Sequence, residues 1–342
     1  MDFERIPRTT RFLDPRQNYS ETSIESEIRR DPLTKLSGRI AHFAGAQFPE
    51  LDLEELSRLS LSHGPCPFCP ELVEKVTPKF PTAIHWEGRF HRGEAIVFPN
   101  LSPYDTHSAV TAMTTAHLAP VRALTPERLQ NAFGVSVEYF RAVQRAEHHM
   151  GYGLISWNYM PMAGASLLHP HLQIYATDHP GNFLGAEIHA GKAYRQRTGR
   201  LFWEDLVAEE KQRGERYLGT MGQTIWLVPF VPQSFIGDVQ AVFPDRFSIL
   251  DLTEDDIAQF CQGLTAIFRF MENRHIYSFN VGFFPGQGPE DATWVHARVS
   301  FRGMFNPLLR SADVSAIRQL YDEPFTTIKP EELAHELRPH FH

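Results

Sequence analysis

The sequence predicts an α+β chain made by duplicating one strand–strand–helix–strand–strand unit, with antiparallel sheets and packed helices. Three observations predict it: two helix starts of one design, matched strand-like runs before them, and matched strand–turn–strand runs after them. Leu124-Thr125-Pro126-Glu127 and Leu252-Thr253-Glu254-Asp255 each place a threonine at the N-cap and acidic residues in the first turn. The two threonines lie 253 − 125 = 128 residues apart, and the helical patterns run to about Arg145 and Asn273.

Ala95-Ile96-Val97-Phe98-Pro99 precedes the first helix and Ile225-Trp226-Leu227-Val228-Pro229 the second. Ser156-Trp157-Asn158 and Ser278-Phe279-Asn280 follow them, each leading into a Gly/Pro-rich turn. Then come the runs His169-Pro170-His171 and His296-Ala297-Arg298. Chance can supply one such pairing; four in the same order point to a repeat. This alignment sets Arg298 against His171, as an anion contact or as a structural residue. Residues 1 to about 60 read as an irregular arm, with a turn at Arg30-Asp31-Pro32-Leu33-Thr34 and a short helix over Leu51 to Leu61. Gly181 to about Gly214 is charged and predicts a helical bridge between the halves, and Pro307 to Phe341 holds two amphipathic stretches.

Length and composition bound the function. The chain has 342 residues, 42% of them hydrophobic, enough for two units with a substantial core. A net charge of −8 argues against a general nucleic-acid binder. No apolar run reaches the length of a membrane span, the N-terminus lacks the apolar segment of a signal peptide, and three cysteines cannot build a disulfide framework. A cytoplasmic protein is the expectation.

His169-Pro170-His171-Leu172-Gln173 concentrates the chemistry. On a strand, His169, His171 and Gln173 share one face. A histidine there can attack phosphorus. Glutamine donates hydrogen bonds to phosphoryl oxygens but takes no proton, which favours group transfer over hydrolysis. Cys66-Pro67-Phe68-Cys69 has the spacing of a zinc knuckle. Cys261 is misplaced for it, so histidines must complete the site, with His107, His117 and His169 as candidates.

Together with Val97-Phe98-Pro99-Asn100, Asn158 and Gly164-Ala165-Ser166, these pieces resemble the galactose-1-phosphate uridylyltransferase family, a branch of the histidine-triad superfamily. The likeness covers roughly residues 30 to 180 and continues weakly through Pro307-Leu308-Leu309-Arg310-Ser311. It implies two histidine-triad-like units, residues 1–195 with the zinc knuckle and His-Pro-His, and residues 196–342 without the nucleophile. It further implies a homodimer and a ping-pong reaction in which His171 attacks the α-phosphate of a nucleoside diphosphate sugar, forming a nucleotidyl-histidine passed to a sugar 1-phosphate. Gln173 and Ser166 match positions that hold phosphoryl oxygens. Asn158, Gly164 and Ala165 match the phosphate surroundings, and Phe98 and Asn100 the nucleoside strand. The zinc site maps onto Cys66, Cys69, His117 and His169, with His107 as runner-up. Backbone N–H groups of the Gly164-Ala165-Ser166 turn are further expected phosphate donors.

The chain departs from the family pattern in three places. A second metal site of one glutamate and three histidines retains Glu187 and His296, but Phe284 and Arg298 stand at the other two positions. Two phosphate-reaching arginines are replaced by Ala44 and Gln47, with Arg39 nearby. The hexose-contacting stretch is not recognisable, although Tyr321, Asp322 and Glu323 lie close to its place. The expected activity is therefore nucleotidyl transfer, with galactose as the family default. The alternatives are a phosphorylase using inorganic phosphate on nucleotide sugars or dinucleoside polyphosphates, and a non-catalytic nucleotide sensor.

Overall fold

A computed structural model describes residues 1–41, 52–62, 64–306 and 311–341. Ala44, Gln47 and Pro307-Leu308-Leu309-Arg310 lie outside the described residues. The expected irregular arm is instead a sheet: β1 (Arg5–Asp14), β2 (Ser20–Arg30) and β3 (Ser37–Ala41) run antiparallel. The sequence conceals it because β1 and β2 carry charge on both faces, so no apolar alternation marks them. Backbone pairing and cross-strand partners such as Arg11 and Glu21 hold the register. The short helix falls where expected, as α1 (Leu53–Leu61), capped by Asp52 accepting from Glu55 N. α2 (Val73–Val76) follows.

The repeat then unfolds in order. The first unit is β4 (Phe90–Arg92), β5 (Ala95–Pro99), β6 (His107–Ala112), α3 (Pro126–Glu147), β7 (Tyr152–Tyr159) and β8 (His171–Thr177). α4 (Gly181–Thr198) and α5 (Phe202–Arg213) form the helical bridge. The second unit is β9 (Tyr217–Met221), β10 (Thr224–Leu227), β11 (Asp238–Val242), α6 (Glu254–Asn273), β12 (Ser278–Phe284) and β13 (His296–Arg302). β14 (Met304–Asn306), β15 (Ser311–Ala312), α7 (Ala316–Tyr321), β16 (Phe325–Thr326) and α8 (Pro330–Leu337) complete the chain, β16 adding to β3 in parallel. Among the described residues, no helix is long and apolar enough to cross a membrane.

Ten strands form one sheet in the order β4-β5-β6-β8-β7-β12-β13-β11-β10-β9. Read from either edge, the strands follow the same plan, and the halves meet where β7 pairs with β12, Ser156 opposite Gly282. Thr125 and Thr253 cap α3 and α6 as predicted, the second through a capping box with Asp256. Both helices cover one face of the sheet, where Phe133, Trp157, Phe260 and Phe283 interlock (Phe133–Phe260 centroids 5.3 Å apart). Side chains alternate across a sheet, so the opposite face receives His171, Gln173, Ser156, Asn158, Asn280 and Arg298.

Backbone register corrects one sequence alignment. Met113 N–H donates to Pro170 O and Phe243 N–H to Val295 O. Ala112 then lies opposite His171, and Val242 opposite His296. The counterpart of His171 in the second unit is therefore His296, and Arg298 is the counterpart of Gln173. The side-chain pattern suggested a match two residues off; strand pairing sets the register.

A buried ion network fastens the N-terminal sheet to the body. Glu331 on α8 accepts from Arg29 (2.7 Å) and Arg216 (2.8 Å), and Arg216 also binds Glu210 (2.9 Å). Burial alone would raise the Glu331 carboxyl, but hydrogen bonds and charge from Arg29, with Arg216, win and hold it at about 2. Glu331→Ala leaves two buried guanidinium groups short of a partner and should cost about 3–5 kcal/mol, read as a drop in unfolding midpoint. The depressed carboxyl stabilises the fold fully above its unfolded pKa, 4.5, and that stabilisation is lost as pH falls toward about 2. Glu331→Gln should flatten this acid dependence.

Candidate functional site

β8 begins at His171, so the expectation of three residues on one strand face holds for His171 and Gln173 only. His169 precedes the strand and turns into the interior. Its Nδ1 lies 3.9 Å from Cys66 Sγ and 3.8 Å from Cys69 Sγ, and its Nε2–H donates to Thr114 O at 2.7 Å. His117 Nδ1 lies 3.7 Å from Cys69 Sγ. The four ligand atoms of Cys66, Cys69, His117 and His169 all fall within 4.8 Å of one another. A tetrahedral ion with ordinary Zn–S and Zn–N bonds needs S···N edges of ~3.6 Å, close to those seen. The chemistry also fits. Burial and the neighbouring Cys66 push the Cys69 thiol up to about 11, a cost that a bound cation reverses by holding thiolates. His107 sits at the far end of β6, opposite Ala176, and does not join the group.

The metal-ligand set and the candidate nucleophile share one backbone joint. His171 Nδ1–H donates to His169 O at 2.8 Å. That bond fixes the tautomer and leaves Nε2 with its lone pair. Burial lowers the His171 pKa, so the imidazole is neutral near neutral pH, the form that can attack. Phe68, between the two cysteines, packs edge-on to His171 (5.4 Å) and against Phe98 (5.3 Å). In the sequence Phe68 reads only as a spacer between the two cysteines.

Gln173 lies in a cross-strand row with Phe98, Val110, Ser156, Gly282 and Arg298. Its Oε1 accepts from Asn158 Nδ2 at 3.5 Å, and its Nε2 donates to Tyr104 OH at 3.4 Å. Asn280 Nδ2 donates to Asn158 Oδ1 (2.6 Å) and to Ala163 O (2.9 Å), and Arg302 donates to Asn280 Oδ1 (2.7 Å). This series of hydrogen bonds directs the Gln173 amide N–H toward Tyr104. The sequence names Asn280 only as part of the repeat and does not single out Tyr104 or Arg302: Asn280 and Arg302 join the site through the β7–β12 pairing of the halves, and Tyr104 through the loop between β5 and β6.

The turn at residues 161–166 differs from expectation. Gly164 N–H donates to Pro161 O and Ala165 N–H to Met160 O, so these amides close the turn. Gly164 adopts φ 89°, a conformation glycine tolerates. Ser166 and Ala165 line a cavity of about 460 Å3 with Cys66, His117 and α1. Asn100 lies at the end of β5, where its Oδ1 accepts from Ser102 N. A second cavity, about 780 Å3, opens over the central strands between Ser156, Asn158, Asn280 and Arg298, with Asp322 on its rim. Glu323 is committed to Arg39 (3.0 Å) and Ser37 (3.1 Å), and Tyr321 is exposed.

The second-unit counterpart is closed. His296 is wholly buried between Trp203 (4.3 Å) and a parallel-stacked Phe284 (5.0 Å), with Nε2 3.2 Å from Glu187. Arg298 lies 3.9 Å from Glu187 and 3.8 Å from Asp238. Phenylalanine and arginine donate no lone pair to a metal, so this residue set does not fit the second metal site that the resemblance implies.

No family model matches the chain. An uncharacterized protein of Archaeoglobus fulgidus is 27% identical over 312 residues, covering 91% of each chain. Among solved structures, an ADP-glucose phosphorylase from Arabidopsis thaliana superposes with TM-score 0.69 at 14% identity, covering 92% of this chain and 98% of that one. A GalT-like protein from the same plant gives 0.68 at 14%, covering 91% and 98%. A uridylyltransferase gives 0.66 at 19%, covering 92% and 98%. The chain has the fold these proteins share.

Proposed function

We propose that this chain is a nucleotidyltransferase of the galactose-1-phosphate uridylyltransferase type, working through a nucleotidyl-His171 intermediate. The observation that supports it most is the His171 Nδ1–H···O=C bond to His169, which presents a neutral Nε2 on the face shared with Gln173. His171 Nε2 attacks the α-phosphorus of a nucleoside diphosphate sugar. The bond to the bridging oxygen breaks and sugar 1-phosphate leaves. A phosphate oxygen of the acceptor then attacks the same phosphorus, the P–N bond breaks, and His171 is restored. Gln173 donates to the non-bridging oxygens, and with no basic group of its own it activates no water. The Ser166 hydroxyl supplies a further donor.

Residues 1–195 form the working unit, and residues 196–342 lack an accessible nucleophile because His296 is enclosed. Zinc at Cys66, Cys69, His117 and His169 is structural in this reading: four protein ligands leave no open position. Ser60 Oγ on α1 lies 2.6 Å from His117 Nε2 and orients that ring. Ser60→Ala should weaken metal retention about 10-fold, read by competition with a chromophoric chelator. The family reading also brings a homodimer, a cytoplasmic setting and a hexose 1-phosphate acceptor.

Transfer to inorganic phosphate shares the first half-reaction, and the fold neighbours include an ADP-glucose phosphorylase. Transfer of the nucleotidyl group from one nucleotide sugar to a different sugar 1-phosphate tests the transferase, because label exchange with the donor's own sugar 1-phosphate reports only the half-reaction that both readings share. A new nucleotide sugar formed in phosphate-free buffer is the expected result. Turnover that requires added phosphate would assign a phosphorylase, and binding without either activity would reject both.

A further inference from the structure

Among the described residues, half of the buried side-chain polar atoms without a hydrogen-bond partner gather in one place. They include Glu187 Oε2, Asp238 Oδ1, Gln240 Nε2, His296 Nε2, and Nε and Nη1 of Arg298. Gln240 lies opposite Arg298 across β11 and β13, and both line a small cavity of about 20 Å3 with Glu187 and Trp203. Native interiors rarely leave such atoms unpaired. The cluster therefore has a missing component or a charge arrangement of its own.

A metal is the component the resemblance implies, and the residues argue against it. Among the described residues, no third histidine, cysteine or carboxylate joins Glu187 and His296 as a possible ligand. Phe284 lies flat on the imidazole, and the Arg298 guanidinium, which keeps its proton in proteins, sits against the carboxylate. A divalent ion on Glu187 would meet that fixed positive charge at close range. Conversely, Glu187 and Asp238 flank Arg298 at 3.9 and 3.8 Å, slightly beyond direct hydrogen bonds. The small cavity has room for one water, with Glu187, Gln240 and Arg298 on its walls.

We propose that Arg298 is the built-in cation of the second unit, charge-paired with Glu187 and Asp238 and bridged to Glu187 by buried water, so that the chain carries one metal ion rather than two. Arg298 also lines the 780 Å3 cavity beside Asn158 and shares the cross-strand row of Gln173. The positive charge on that wall is then covalent and independent of metal supply.

The inference rests in part on the metal reading of the cysteine cluster, and the test separates the two. Full-length protein is equilibrated with excess Zn2+ or Fe2+, desalted, and its metal counted per chain by mass spectrometry. One ion in the wild type, one in Glu187→Gln and none in Cys66→Ser is the expected pattern. Phe284→His combined with Arg298→His should gain a second ion, lost again when Glu187→Gln is added. Two ions in the wild type with one lost in Glu187→Gln would overturn the inference. A folded double variant that stays at one ion would overturn it too. A variant that fails to fold leaves the wild-type and Glu187→Gln counts to decide. A wild-type count of zero would reject the cysteine-cluster reading while leaving Glu187 metal-free, as inferred here.

Discussion

Cys66→Ser should abolish the proposed zinc binding and lower the unfolding temperature sharply. Cys66 is buried and its sulfur is one corner of a group whose ligand atoms lie within 4.8 Å. Structural zinc binding is worth about 10–16 kcal/mol in small domains; a chain of this size retains its helices and sheet but loses the joint between three segments. Those segments are the Cys66–Cys69 loop, the residues after β6 that carry His117, and the turn carrying His169. The carbonyl of His169 accepts from His171 Nδ1–H, so loosening the joint also frees the ring of the proposed nucleophile. Metal content by mass spectrometry, thermal unfolding and nucleotidylation rate should fall together. Chelator treatment of the wild type should reproduce the effect. Unchanged metal content in Cys66→Ser would reject the assignment.

His171→Asn should abolish turnover, by on the order of 10⁴-fold or more, and leave nucleotide binding intact. The side chain is buried on the β8 strand, and Phe68 and the backbone of His169 define its place. Asparagine fits that space and can donate to the same carbonyl, but it offers no nucleophilic nitrogen. Nucleotide affinity should change little, because Phe68, Phe98 and Gln173 remain. Measured by calorimetry and by initial rates, a near-normal Kd with no turnover is the expected pair. Normal turnover would remove the covalent mechanism.

The sequence disclosed those features that rest on local chemistry. Threonine caps, short strands and the Cys-x-x-Cys spacing are local patterns, and each falls where it was read. The β1–β3 sheet was missed because β1 and β2 carry charged residues on both faces, with Glu21, Glu25 and Glu27 opposite Leu13, Thr9 and Pro7 across the hairpin. The counterpart of His171 was misplaced because matching His169-Pro170-His171 to His296-Ala297-Arg298 follows side chains, whereas Met113 and Phe243 pair through backbone. Asn280 reaches Asn158 only because β7 and β12 join the halves. His117, 48 residues from Cys69, came from the family likeness; spacing alone left His107 in contention. Phe68 was hidden between two residues that drew the attention for their sulfur.

The most direct test of the central claim is intact-protein mass spectrometry after incubation with a panel of nucleotide sugars and dinucleotides, with no acceptor present. The account predicts a gain of one nucleoside monophosphate per chain, absent in His171→Asn and discharged by adding sugar 1-phosphate or phosphate. The mass of the adduct identifies the base. An adduct that persists in His171→Asn would contradict the assignment of the nucleophile. So would catalysis of exchange by a wild-type protein that never carries an adduct.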